Sequence, residues 1–130
     1  MLMVKKYYKS LFLPNVRTGM VLTLAFVIII CLGMLTPLPK AVDVSATDKW
    51  YHFLAFAALT YPLTAASRRY WLLIIVFGLS FSASIEVIQP YVNRLGDIAD
   101  FTAGAVGVLI GFSFGVIGYF FKLKTDNLVY

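Results

Sequence analysis

Long apolar stretches broken by short polar punctuation dominate the chain. Its charged side chains leave four uncharged windows, Thr18–Pro39, Trp50–Ser67, Tyr70–Ile85 and Phe101–Phe121. A bilayer core of about 30 Å is crossed by a helix of about 20 residues, with a range of about 17–25. The first and last windows meet that length, and the second lies near its lower limit. The third reaches it only if its helix runs on through Glu86 toward Gln89, which puts a carboxylate at or just inside the membrane boundary. The pattern predicts an all-α integral membrane protein, a bundle of four transmembrane helices at about 18–37, 48–67, 70–89 and 98–121. Residues 1–17 read as a basic, aromatic interfacial leader, 18–122 as the membrane domain, and 123–130 as a cytoplasmic tail. The apolar core of the first span exceeds the roughly 7–15 residues of a cleaved signal, so it reads as a retained span. Two prolines in Thr36–Asp48 make that segment a loop.

Composition supports the membrane class. The chain is 61% apolar and only 13% charged, with a mean hydropathy of +0.86, outside the soluble range. The net charge of +5 does not point to nucleic acid, because the basic residues follow the windows. Lys5, Lys6, Lys9, Arg17, Arg68, Arg69, Lys122 and Lys124 fall on one set of connections, and Lys40, Lys49 and Arg94 on the other. The excess of Lys and Arg sets both termini in the cytoplasm. Cys31, the single cysteine, excludes an intrachain disulfide and a cysteine-based metal motif.

With that topology, the scarce polar residues collect at one outer end. Asp48, Lys49 and His52 open the second span; Glu86 and Gln89 close the third; Arg94, Asp97 and Asp100 lead into the fourth. Asp48 and His52, four apart, share a helix face, as do Glu86 and Gln89, three apart. Asp97, Asp100, Gly104, Gly107, Gly111, Gly115 and Gly118 form one stripe, whose glycines suit close helix packing in lipid. The stripe points the two acids into the bundle.

Each residue also has an ordinary role. Asp97 fits an N-cap for the fourth span with Asp100 at its third position, and Thr47 or Asp48 fits a cap for the second. Lys49 and Arg94 fit interfacial anchors, His52 a satisfied helix-end histidine, and Trp50, Tyr51, Tyr70 and Trp71 an aromatic belt. An intramembrane carboxylate such as Glu86 is a functional candidate by default. Together, four acids, two cations and a histidine exceed what caps and anchors require. Three chemistries fit the patch: a rigid paired network, a hard divalent cation held by the surplus acids, or proton exchange with Glu86 and His52 as the catalytic candidates. Spacing leaves all three open.

The ordered set D-K-x-x-H-F at Asp48–Phe53, E-x-x-Q at Glu86–Gln89, Arg94, and D-x-x-D at Asp97–Asp100, followed by Gly107 and Gly111, resembles the VanZ-like family over roughly residues 40–120. The resemblance implies a multi-pass protein of the bacterial cytoplasmic membrane and cell envelope. It also makes Asp48, Lys49, His52, Glu86, Gln89, Arg94, Asp97 and Asp100 the signature, binding positions. The family is named for a protein giving low-level resistance to the glycopeptide teicoplanin. Gly104 departs from the pattern, standing where many relatives carry Asn. The expected function is an envelope protein binding a lipid-linked or surface ligand. The alternatives are a membrane enzyme modifying lipid head groups, or a structural subunit whose glycine stripe docks a membrane partner or a second copy.

Overall fold

The computed structural model describes residues 13–37 and 45–127, which are helical with no strand among them. Among the described residues four α-helices follow one another: α1 Val16–Met34, α2 Ser45–Ala66, α3 Trp71–Ile88 and α4 Ile98–Asn127. Short 3-10 turns, Arg68–Tyr70 and Gln89–Val92, flank α3. Asn15 starts α1 by accepting a hydrogen bond from the Thr18 N–H on its side-chain oxygen (2.9 Å), the usual way an orphan N–H is met. Helix α3 does continue through Glu86. Helix α2 begins at Ser45, so the end of the segment expected as loop is helical; residues 38–44 lie outside the described residues, as do 1–12 of the expected leader. Helix α4 runs to Asn127, so most of the expected tail is helix.

The helices alternate in direction. The Lys122 ammonium donates to the Pro14 carbonyl (3.0 Å), joining the late part of α4 to the start of α1. At the other end of the bundle, Arg94 reaches both the Gly33 carbonyl of α1 and the Asp48 carboxylate of α2.

Among the described residues three helical stretches are long and apolar enough to cross a membrane: Val16–Met34, Arg68–Val92 and Ile98–Thr125, with mean hydropathies of 2.2, 2.1 and 1.9. Helix α2 has the length, 22 residues, but polar groups such as Asp48, Lys49, His52, Thr60 and Thr64 keep it out of that class. Its position explains why. The other three helices pack around it, and His52, Phe56, Leu59, Thr60, Thr64 and Ala65 are fully buried. A helix screened by protein need not be soluble in lipid, provided its polar groups find partners. Thr23 of α1 donates to the Leu59 carbonyl (3.3 Å), and the Thr60 hydroxyl lies 3.0 Å from the Phe56 carbonyl and 3.3 Å from that of Val108 in α4. At the far end, the Trp71 indole N–H donates to the Thr64 carbonyl (3.0 Å), an acceptor in the last turn of α2. Trp71 is therefore a cap, packed edge-on against Phe112 and Tyr119, not only a member of an aromatic belt. Trp50 and Tyr51 are exposed.

The glycine stripe of α4 lies on α2. A Cβ added to Gly107 would run into the Phe53 carbonyl oxygen, one added to Gly111 into that of Ala57, and one added to Gly115 would stand 2.6 Å from the Thr64 Cβ. Here only glycine permits the backbone approach. The stripe is thus occupied within the chain, which removes the surface on which a docking subunit would have relied.

Candidate functional site

All eight polar residues singled out from the sequence stand at the end of the bundle where α1 and α3 finish and α2 and α4 begin. They divide into a saturated set and an unsaturated one.

Arg94 and Asp48 are saturated. One guanidinium nitrogen lies 2.9 and 3.0 Å from the two Asp48 carboxylate oxygens, and the other donates to the Gly33 carbonyl at 2.9 Å. The Arg94 side chain is 6% exposed and that of Asp48 15%. Arg94 is therefore a buried tie across α1, α2 and the 93–97 segment, and not the interfacial anchor that long cations often provide. Lys49 differs: half exposed, it stands 3.8 Å from Asp97, an outlying and solvent-screened pair. Asp97 caps α4, its Oδ1 accepting from the Ala99 N–H at 2.9 Å. No comparable role falls to Asp48 or Thr47 in α2, because that helix starts earlier, at Ser45.

His52 and Glu86 form the second element. The His52 ring is fully buried. Its Nδ1 stands 3.0 Å from the Asp48 backbone carbonyl, which can only accept, so Nδ1 carries a proton. Its Nε2 stands 2.9 Å from Glu86 Oε1. That contact is a hydrogen bond only if one proton lies between the two atoms, either as carboxylic acid facing imidazole or as carboxylate facing imidazolium. The other carboxyl oxygen, Oε2, accepts from the Asp97 N–H at 2.9 Å. Glu86 is thus held from both sides.

The bond to Asp97 depends on the 93–97 turn. Asn93 takes a left-handed conformation, φ 58°, which Asn tolerates better than most residues. Gly96 then passes so close to the end of α3 that a Cβ there would lie 2.6 Å from the Glu86 carbonyl oxygen. Glycine is needed for the approach that brings the Asp97 N–H to the carboxylate.

The unsaturated set lies among the buried groups. Gln89 is fully buried and its amide nitrogen donates to the Met34 carbonyl (3.3 Å), but its Oε1 meets no donor. Asp100, 4% exposed, has an Oδ1 without a partner. Ser82, fully buried on α3, has an unpartnered hydroxyl. A Cβ on Gly104 would run into that hydroxyl, so Ser82 fills the space where the resemblance leads one to expect an Asn side chain. Native interiors leave few such atoms, and each costs about 1–3 kcal/mol in desolvation. Pairing Asp48 with Arg94, Asp97 with Lys49 and Glu86 with His52 leaves Asp100 as the one of these four acids with no ion-pair partner among the described residues.

Sequence reading did not single out Ser82, Gly96 or the Gly33 and Met34 carbonyls. Ser82 had a signal: it precedes Glu86 by four and Gln89 by seven, on one helix face. The carbonyls had none, since backbone atoms carry no residue signature. Among the described residues no group of three His, Cys, Asp or Glu side chains converges to hold a metal ion, so the divalent-cation chemistry finds no donor set there.

Beside this end, between α1 and α2, runs a groove of about 320 Å³ lined by Ile29, Ile30, Gly33, Met34, Tyr51 and Ala55, with Asp48 and Arg94 at its polar end.

No protein-family model matches the chain. No curated protein and no solved structure is significantly similar to it.

Proposed function

We propose that the chain is a VanZ-like multi-pass protein of the bacterial cytoplasmic membrane that binds a lipid-linked or surface ligand of the envelope. It crosses four times, with α2 as the enclosed span, both termini in the cytoplasm, and the polar end outward. The distribution of Lys and Arg supports that orientation. The observation that carries the functional reading is the set of buried polar atoms at this end, Ser82 Oγ, Gln89 Oε1 and Asp100 Oδ1, which the fold leaves without partners. A fold gains nothing from such atoms. A ligand bringing hydrogen-bond donors does, and Glu86, 11% exposed, is the member of the His52–Glu86 pair that reaches it. His52 positions Glu86 through the contact of its Nε2 with Glu86 Oε1.

Teicoplanin sensitivity is the first phenotype to test. The wild type and Asp100→Asn are expressed at equal levels in a glycopeptide-sensitive bacterium, and the inhibitory concentration and surface binding of labelled teicoplanin are measured. The proposal expects wild type alone to lower sensitivity and binding. Equal effects of both proteins would remove Asp100 from the site, and no effect of either would remove the resistance link.

The 2.9 Å approach of His52 Nε2 to Glu86 Oε1, beside an Asp48 carbonyl that accepts from Nδ1, favours one other reading, an enzyme acting on lipid head groups by acid–base catalysis. Glu86→Gln preserves an acceptor for the Asp97 N–H and a donor toward His52. Loss of head-group conversion with binding retained selects the enzyme. Binding without conversion in the wild type selects the binding protein.

A further inference from the structure

We infer that the groove between α1 and α2 is a seat for one aliphatic chain of a bilayer lipid, with the lipid head group resting at the Asp48–Arg94 pair. The walls, Ile29, Ile30, Gly33, Met34 and Ala55, are apolar, and the polar groups of the lining are the Tyr51 hydroxyl and the Asp48–Arg94 pair. The groove thus has an amphiphile's polarity, greasy along its length and hydrogen-bonding at its mouth. Its outer wall belongs to α1, a span of mean hydropathy 2.2 whose Ile28, Ile29 and Leu32 are exposed. The medium at that depth is acyl chain. A volume of about 320 Å³ is at the low end of the roughly 300–1,000 Å³ of ligand pockets, enough for part of one chain and too small for a whole two-chain lipid. The Asp48 and Arg94 charges cancel and already engage each other. A strongly anionic head group has to compete with Asp48, so a zwitterionic head group fits better.

Gly33 supplies the opening. A Cβ added there meets nothing within 4 Å, in contrast to the α4 glycines that are pressed against α2. Gly33 is therefore not required for helix packing, and a larger side chain at this position enters the groove without displacing the bundle. The inference rests on the membrane-spanning reading but not on the ligand of the polar end.

The test uses the full chain solubilised from vesicles of equal parts dioleoyl phosphatidylethanolamine and phosphatidylglycerol, with retained lipids counted by native mass spectrometry. Wild type, Gly33→Leu, Ala55→Leu and Asp100→Asn are compared, each with its melting temperature. Expected is one retained phosphatidylethanolamine on wild type and on Asp100→Asn, and none or a trace on Gly33→Leu at unchanged melting temperature. Ala55→Leu fills the same space from the opposite wall and gives the same loss. Equal retention by wild type and both filled variants, or no lipid retained by wild type, overturns the seat. Retention of phosphatidylglycerol alone overturns the head-group assignment. Asp100→Asn separates the two proposals, since the envelope-ligand reading fails there without changing lipid retention.

Discussion

Replacing Arg94 with Leu tests whether the buried ion pair holds the polar end together. The change removes two contacts to Asp48 and one hydrogen bond to the Gly33 carbonyl, and it leaves the Asp48 carboxylate without its counter-charge. Breaking a buried pair by deleting one partner costs about 3–5 kcal/mol. Because the Asp48 side chain keeps 15% exposure, it recovers some hydration, and the lower half of that range is expected. Asp48→Leu strands the guanidinium instead and costs a similar amount. In the double variant Asp48→Leu/Arg94→Leu neither charge is stranded, so its loss is smaller than the sum of the two single losses by about 1.5–3 kcal/mol, within the span of measured couplings. The assay is unfolding by SDS titration in mixed micelles, followed by circular dichroism, on all four proteins. A coupling below about 0.5 kcal/mol would refute the buried tie and return Arg94 to the role of a surface anchor.

Two further outcomes follow from the close backbone approaches. Gly111→Ala drives a Cβ into the Ala57 carbonyl, whereas Gly118→Ala places one 3.2 Å from the Tyr61 hydroxyl and 3.4 Å from the Ala65 Cβ; the first should cost about 1–3 kcal/mol by overpacking and the second less, in the same SDS titration. Gly96→Ala should separate the 93–97 turn from α3 and break the Asp97 N–H to Glu86 bond, seen as accelerated amide hydrogen exchange at Asp97 with exchange in mid-α2 unchanged.

Much of this arrangement was legible from single residues, and the remainder failed for identifiable reasons. Glu86, Arg94 and Asp100 stood out because charge is scarce in an apolar chain, and the three- and four-residue steps of the α4 glycines gave the face they occupy. What the sequence did not give was the pairing. A paired network of four acids and two cations does not say which acid faces Arg94, and the fold puts Asp48 there. The weak apolarity of α2 looked like a marginal span, whereas it reflects enclosure: its neighbours supply the apolar surround, so Thr60, Thr64 and His52 are tolerated inside. The stripe on α4 could face another chain or its own, and only the approach to the Phe53 and Ala57 carbonyls decides for its own. Roles held by the Gly33 and Met34 carbonyls lie beyond residue-level reading altogether.

The central claim is that the buried unpartnered atoms of the polar end are kept for a ligand and contribute nothing to the fold. The melting temperatures of Ser82→Ala and Asp100→Asn beside wild type test it most directly. Removing an unpartnered hydroxyl relieves a desolvation cost of about 1–3 kcal/mol, so Ser82→Ala should melt above wild type. Asp100→Asn forgoes only the 0.3–1 kcal/mol or so of a carboxylate in the first turn of α4, so it should melt close to wild type. If both variants instead melt well below it, by the margin of a lost buried hydrogen bond, the polar end is scaffold and the claim is wrong.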